Sequence, residues 1–251
     1  MVKIFIDPGH GGKDPGAVGL GLREKDLTLA ISLKIRGILQ KEYSDVEVRL
    51  SRTTDVFLSL GERARLANAW GADLLLSIHI NATPSGYGYE DFIYNGKVST
   101  TSVKVQNVIN VEVVKATGWR NRGKKRGNLQ VLRDSKMAAL LTECGFIDNS
   151  NDAKLLKDDA FLDKIARGHV NGIAEAFNLK REIFAMDQPE KEEVRMFNPS
   201  SATLKNEFEQ FLTDAVKKGT ISDKWLKGYN AGKLTLDDAL ALKVTVDQRS
   251  K

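Results

Sequence analysis

The sequence predicts an α/β protein: a mainly parallel or mixed central sheet flanked by helices, followed by a small C-terminal helical module. Three observations predict it. Short, continuous apolar runs recur through residues 1–180, as strands buried on both faces of a sheet require. Patterns of helical period separate those runs. Beyond residue 180 the strand-like runs stop and helical stripes alone remain.

Taken in order, Val2–Asp7 reads as the first strand. Residues 25–41 then repeat Leu27, Ile31, Ile35 and Ile38 at helical spacing. Val46–Ser51 is the next strand, residues 59–70 form a helix carrying Leu60, Ala64 and Ala67, and Leu74–Ile80 is a third strand. Asp91–Tyr94, a helix over 104–116, the strand Ala138–Glu143 and a helix over 160–177 complete the domain of residues 1–180. Residues 181–198 read as a linker, with Pro189 followed by charged residues and a turn at Asn198-Pro199. In residues 199–251, Leu204, Phe208, Phe211, Leu212, Ala215 and Val216 form a stripe ending at Gly219. Ser222 caps a second helix, and Thr235 with Asp238 makes a capping box before a third at 239–242. A unit of that size has little core of its own, so docking or self-association into a homo-oligomer is one expectation for it.

The chain has 251 residues, 41% hydrophobic and 28% charged, with mean hydropathy −0.31. Those values exclude disordered, collagen-like and coiled-coil classes. No apolar run approaches the roughly 18–20 residues that a membrane span needs. The start runs straight into a strand without the sections of a signal peptide, so synthesis in the cytoplasm is expected. With Cys144 as its single cysteine, a metal would have to use histidine and carboxylate ligands. Net charge is +5, and part of the excess is local: Arg120, Arg122, Lys124, Lys125 and Arg126 fall within seven positions. Without aromatic interleaving or a nucleic-acid motif, this run reads as a solvated loop, and no nucleic-acid partner is expected.

Candidate chemistry sits where strands end. His10 follows the first strand within Asp-Pro-Gly-His-Gly-Gly, and His79 closes the strand Leu74–Ile80. Glu24 begins the first long helix, and Glu143 ends a strand before Gly145. Ligands of open α/β sheets bind beyond the carboxyl ends of strands, so these four can converge. Two imidazoles and one carboxylate with an open fourth position make a catalytic zinc site. A further carboxylate would move the water proton to a leaving amine. His169, in mid-helix, is expected to be structural. Gly9, Gly11 and Gly12 allow a sharp turn; the Gly-Lys-Ser/Thr ending of a phosphate loop and the spacing of a dinucleotide fingerprint are both missing. Cys144 as nucleophile is disfavoured, because on a regular strand it faces away from Glu143.

Four ordered stretches carry a resemblance: Ile4-Phe-Ile-Asp-Pro-Gly-His-Gly-Gly-Lys-Asp-Pro-Gly16, Leu22-Arg-Glu-Lys-Asp-Leu27, Ser77-Ile-His-Ile-Asn-Ala82 and Leu141-Thr-Glu-Cys-Gly-Phe-Ile-Asp-Asn149. Leu50-Ser-Arg-Thr53, Gly61-Glu-Arg63 and Asn68 support them. Over residues 2–178 the chain resembles the zinc-dependent N-acetylmuramoyl-L-alanine amidases, bacterial autolysins and phage endolysins that degrade peptidoglycan. The resemblance implies His10, Glu24 and His79 as ligands of one Zn2+ and Glu143 as the catalytic carboxylate. It makes Asn81 a candidate for orienting His79 or the peptide, and sets Glu90, in Gly88-Tyr-Glu90, towards a groove or solvent. Ala138 departs from the proline of many relatives, which touches strand entry rather than chemistry.

The function implied is hydrolysis of the muramic acid–L-alanine amide, with release through a holin-type pore or by lysis. Two rivals are a wall-binding protein that no longer turns over and a zinc peptidase acting on another amide. Residues 199–251 are expected to bind wall or mediate assembly, and the basic run to meet anionic wall polymers.

Overall fold

In the computed structural model the described residues are 1–182, 197–199, 201–235, 238, 239 and 242. The chain divides into two units, Met1–Glu182 and Ile183–Lys251. The first contains β1 (Val2–Pro8), a small hairpin of β2 (Val18–Gly19) and β3 (Leu22–Arg23), α1 (Glu24–Glu42), β4 (Val46–Leu50), α2 (Leu60–Trp70), β5 (Leu74–Asn81), β6 (Tyr89–Tyr94), α3 (Thr100–Thr117), β7 (Asn121–Gly127), α4 (Gln130–Arg133), β8 (Ala138–Phe146), α5 (Ser150–Leu156) and α6 (Asp159–Phe177). Six strands form one sheet in the order β4-β1-β5-β8-β6-β7. The first four run parallel, β6 lies antiparallel to β8, and β7 is parallel to β6. The sheet is therefore mixed, and the α/β expectation holds.

Strand alternation sorts the core into two layers. Ile4, Ile6, Leu74, Leu76, Ile78, Leu140 and Cys144 share one cluster with apolar residues of α1, α3 and α6. Phe5, Leu75 and Leu141 pack instead with Ala67 of α2 and with Val131 and Leu132 of α4. Covered on both faces, these strands need apolar residues at most positions, which is why they read as largely apolar runs. Burying one Leu or Ile side chain in such a layer contributes about 1.5–3 kcal/mol. Helix α6 meets α3 so closely that a Cβ on Gly172 would lie 2.7 Å from the Ile109 Cα.

The basic run is a correction: residues 121–127 form β7 rather than a solvated loop. Its register with β6 shifts between Tyr89 and Asp91, and Gly123 takes φ +91° there. A strand at a sheet edge presents unpaired backbone groups, and lysine and arginine are a common guard against further pairing. Such a strand carries no apolar signal.

Two buried polar groups lie on the α3/α6 side of the sheet. Asp91 accepts from Gln106 Nε2 at 3.0 Å and Asn110 Nδ2 at 2.8 Å. Burial pushes its carboxyl up to about 6, against the opposing pull of those amide donors. His169 sits between the Ile165 carbonyl (2.8 Å) and the Thr142 hydroxyl (3.1 Å). Burial drives its pKa down to about 4, as suits a structural histidine.

In the second unit, α7 (Ala202–Lys217) is capped by the Ser201 side chain, which accepts from Leu204 N, and α8 (Asp223–Asn230) by that of Ser222. Thr235 and Asp238 exchange backbone-to-side-chain bonds at 3.2 and 3.1 Å, a reciprocal capping box. Leu212, Leu234, Ala239 and Leu242 form its core, with Phe197, Phe208 and Phe211 against them. Residues 183–196 of the expected linker, and residues 240 and 241 of the expected third helix, lie outside the described residues. Among the described residues no helix is long and apolar enough to cross a membrane.

Candidate metal centre

His10 leaves the end of β1 in a left-handed conformation, φ +60°, rare for a residue with a Cβ. Two buried arginines hold the backbone there. Arg63 donates to the Pro8 carbonyl at 2.7 Å and the His10 carbonyl at 2.8 Å, and also pairs with buried Asp7 at 2.8 Å. Arg52 donates to the carbonyls of Pro8, Gly9 and Lys25. This clamp fixes the strained turn against α1, where such strain is tolerable only if the surroundings over-determine it.

Glu24 sits in the first turn of α1 and is 4% exposed. Its Oε1 lies 2.9 Å from His79 Nδ1 and accepts from the Ile80 N–H at 3.0 Å. Its Oε2 lies 3.1 Å from His10 Nε2 and accepts from the Ala17 N–H at 2.8 Å. One donor atom from each of His10, Glu24 and His79 lies within 4.8 Å of the other two. Burial alone would raise the Glu24 carboxyl, but hydrogen bonds from the two histidines outweigh it and hold the group well below the usual range. His10 is raised: burial opposes its charged form, and Glu24 and then Asp14 overcome it.

The other ring nitrogen of His10, Nδ1, lies 2.9 Å from Asp14 Oδ2. A carboxylate at the far nitrogen is the usual way a ligand imidazole is oriented. Asp14 stands inside the first motif but received no role from sequence, since nothing in the spacing shows that the loop folds back four residues later. Two glycines are fixed by close approach. A Cβ on Gly9 would lie 2.4 Å from the His79 ring, and one on Gly16 2.6 Å from Glu24 Oε2.

Glu143 is the direct register neighbour of His79 across β5 and β8. The residue is partly exposed, yet its Oε2 is buried without a hydrogen-bond partner among the described residues. Burial first, then the nearby Glu24 and Glu90 carboxylates, raise its pKa well above the ordinary carboxyl value. A carboxyl beside the candidate metal ligands is the kind of group that can accept and return a proton. Cys144 points to the opposite face, buried in the core with its thiol pushed up by burial.

Asn81 donates to Glu90 Oε1 at 3.0 Å, while its carbonyl oxygen accepts from the Ala82 N–H at 2.7 Å. Its amide is thus directed at Glu90 and not at His79. Glu90 is 3% exposed, not turned to solvent. It receives Arg122 Nε and Lys125 Nζ, each at 2.6 Å from Oε2. Burial would raise its pKa, but those two cations pull it below the ordinary value.

A sequence family described as N-acetylmuramoyl-L-alanine amidase matches residues 4–175. The N-acetylmuramoyl-L-alanine amidase CwlM of Bacillus licheniformis is 53% identical over 186 residues, covering 74% of this chain and 73% of that protein. The endolysin of Bacillus phage SPP1 is 45% identical over 206 residues, covering 80% and 74% respectively. Among solved structures, the catalytic domain of CwlV, an amidase from Bacillus (Paenibacillus) polymyxa var. colistinus, superposes with a TM-score of 0.68 at 35% identity. That match covers 72% of this chain and all of the other.

Proposed function

Because the chain belongs to the N-acetylmuramoyl-L-alanine amidase family, we propose that His10, Glu24 and His79 hold one zinc ion and that Glu143 moves the proton in its reaction. The activity is hydrolysis of the amide between muramic acid and L-alanine in peptidoglycan, and the protein acts on the cell wall. The observation that carries the zinc reading is the donor set. Two imidazole nitrogens and a carboxylate oxygen lie within 4.8 Å, the set of a catalytic rather than a structural zinc site. The unpartnered Glu143 Oε2 beside it suits a group that needs a partner only during the reaction.

Bound there, zinc would supply Lewis acidity, polarising the scissile carbonyl and lowering the pKa of water. The protein's own part is positional and protonic. Glu24 holds the two imidazoles against each other and the Ile80 and Ala17 N–H groups fix its carboxylate. Asp14 orients the His10 ring through Nδ1. Glu143 takes the proton of the attacking water at its free oxygen and passes it to the departing alanine nitrogen.

The test is digestion of purified peptidoglycan, counting new amino groups and new reducing ends. Amines without reducing ends, lost on chelation and restored by zinc, are expected. Amine release that survives full chelation would remove the metal from the reading.

For residues 199–251 our reading is wall retention, with self-association as the rival. A protein ending before residue 199 is expected to lose retention on walls several-fold while still cleaving a soluble muramyl peptide. Undiminished retention in a pull-down, or a change in oligomeric state alone, would favour assembly. Release through a holin-type pore, or by lysis of the producing cell, is the route this reading takes to the wall.

A further inference from the structure

A row of titratable side chains continues past the metal centre, crossing the sheet at one level. His79 on β5 is in register with Glu143 on β8, and Glu143 is in register with Glu90 on β6. Side chains directly opposite on neighbouring strands share a face with Cβ atoms about 4.5–5.5 Å apart. The row ends on β7, where Arg122 and Lys125 both reach Glu90 Oε2. The register shift beside Gly123 lets these two residues, three apart in sequence, meet the same oxygen. The other three cations of the run go elsewhere: Lys124 to Asn107, Arg126 to the Tyr94 carbonyl and Arg120 over the Tyr87 ring.

Glu90 is the carboxylate both cations touch, while Glu143 and Asp152 act on Lys125 and Arg122 only through space. The Glu90 side chain is 4% exposed, against 25% for Arg122 and 37% for Lys125. The carboxylate is therefore the buried anchor, and the cations form the accessible rim. Arg122 uses Nε for Glu90, and its Cζ lies 4.7 Å from the centre of the Phe146 ring. Neither of its Nη nitrogens has a hydrogen-bond partner among the described residues. Lys125 Nζ keeps two further donors. A preorganised pair of cations with unused N–H groups, separated from the proton-moving carboxylate by strand β6, is built to receive an anion.

Resting on the amidase reading, we propose that Arg122 and Lys125 form a carboxylate-binding subsite for the peptide side of the substrate. The choice of side follows from charge. Once its lactyl group is in amide linkage the muramic acid is uncharged, so the carboxylates close to the scissile bond belong to the stem peptide. An anionic wall polymer could offer similar charge, but it is absent from a soluble muramyl peptide.

The experiment compares N-acetylmuramoyl-L-alanyl-D-glutamate, which carries two free carboxylates, with its α,γ-diamide, which carries none, using the full zinc-loaded chain and its Lys125→Met and Lys125→Arg variants. Arg122 remains on Glu90 in both, so the buried carboxylate stays paired, and thermal unfolding checks the fold. Wild type is expected to favour the free carboxylate about tenfold or more in kcat/KM, through KM, as one charged hydrogen bond implies. Lys125→Met should cut that preference about tenfold and Lys125→Arg should retain it. Equal kcat/KM for the two substrates in wild type would overturn the subsite. So would a Lys125→Met variant that slows both equally, which would make the cluster a support for Glu143. A salt-sensitive preference seen on whole walls but not on the soluble pair would assign the cations to a wall polymer instead. If wild type cleaves neither soluble peptide nor wall, the amidase reading fails first and this inference falls with it.

Discussion

Glu143→Gln is expected to leave zinc content unchanged and to lower kcat by about 10²–10⁴, the range that a positioned general acid–base contributes. The substitution preserves shape and removes the ability to carry a proton. Glu143 is not among the three side chains whose donor atoms meet, so the metal content of the variant, read by elemental analysis, should match wild type. Its Oε2 has no hydrogen-bond partner among the described residues to lose. Turnover that needs the ionised Glu143 carboxylate should fall on acidification, and the variant should lose this limb. Wild-type turnover in Glu143→Gln would remove the residue from proton transfer. Loss of zinc together with turnover would make it a ligand support.

Glu24→Gln carries the second large effect, with the opposite signature. Glu24 is the one negative group between His10 and His79, meeting both within 3.1 Å. The amide keeps the size but presents an N–H₂ to one of the two imidazoles, where a lone pair is needed. Zinc affinity should fall by more than the 10–100-fold typical of outer-sphere partners, and activity with it. Excess zinc should restore part of the activity to Glu24→Gln and none to Glu143→Gln. Full zinc occupancy in Glu24→Gln at sub-micromolar metal would show that the two histidines suffice.

How much of this was legible in the sequence depends on burial. Strands β1, β5 and β8 are readable because layers on both faces force largely apolar runs, and the edge strand β4 is readable from its alternation of Val46, Val48 and Leu50 with Glu47 and Arg49. β6 begins at Tyr89, two residues before its apolar signal, so the sequence sets Glu90 towards a groove or solvent, whereas it anchors a buried ion cluster. β7 was not readable: a basic edge strand and a basic loop have the same composition. The short helices α4 and α5 were also missed, being too brief for a periodic pattern. The convergence of His10, Glu24, His79 and Glu143 followed from strand ends together with family motifs. What the sequence did not disclose is the support: Asp14 on His10, the Arg52 and Arg63 clamp on strained backbone, and the clearance at Gly9 and Gly16. Those depend on carbonyl directions and on which atoms face each other, which spacing does not encode.

The buried pair behind the sheet has a consequence for proton linkage. His169 binds a proton below about 4 when folded and below 6.5 when unfolded. Between those values the unfolded chain holds more protons, so this group withdraws stability as pH falls. Asp91 does the reverse: its folded value near 6 lies above the unfolded 3.8, so its contribution is fully present below 3.8 and is lost as pH rises through 6. Each shift corresponds to about 3 kcal/mol, over nearly the same interval and with opposite sign. Acidification across that interval therefore has the folded chain take up a proton at Asp91 for the one refused at His169, and this pair leaves the unfolding equilibrium almost level there.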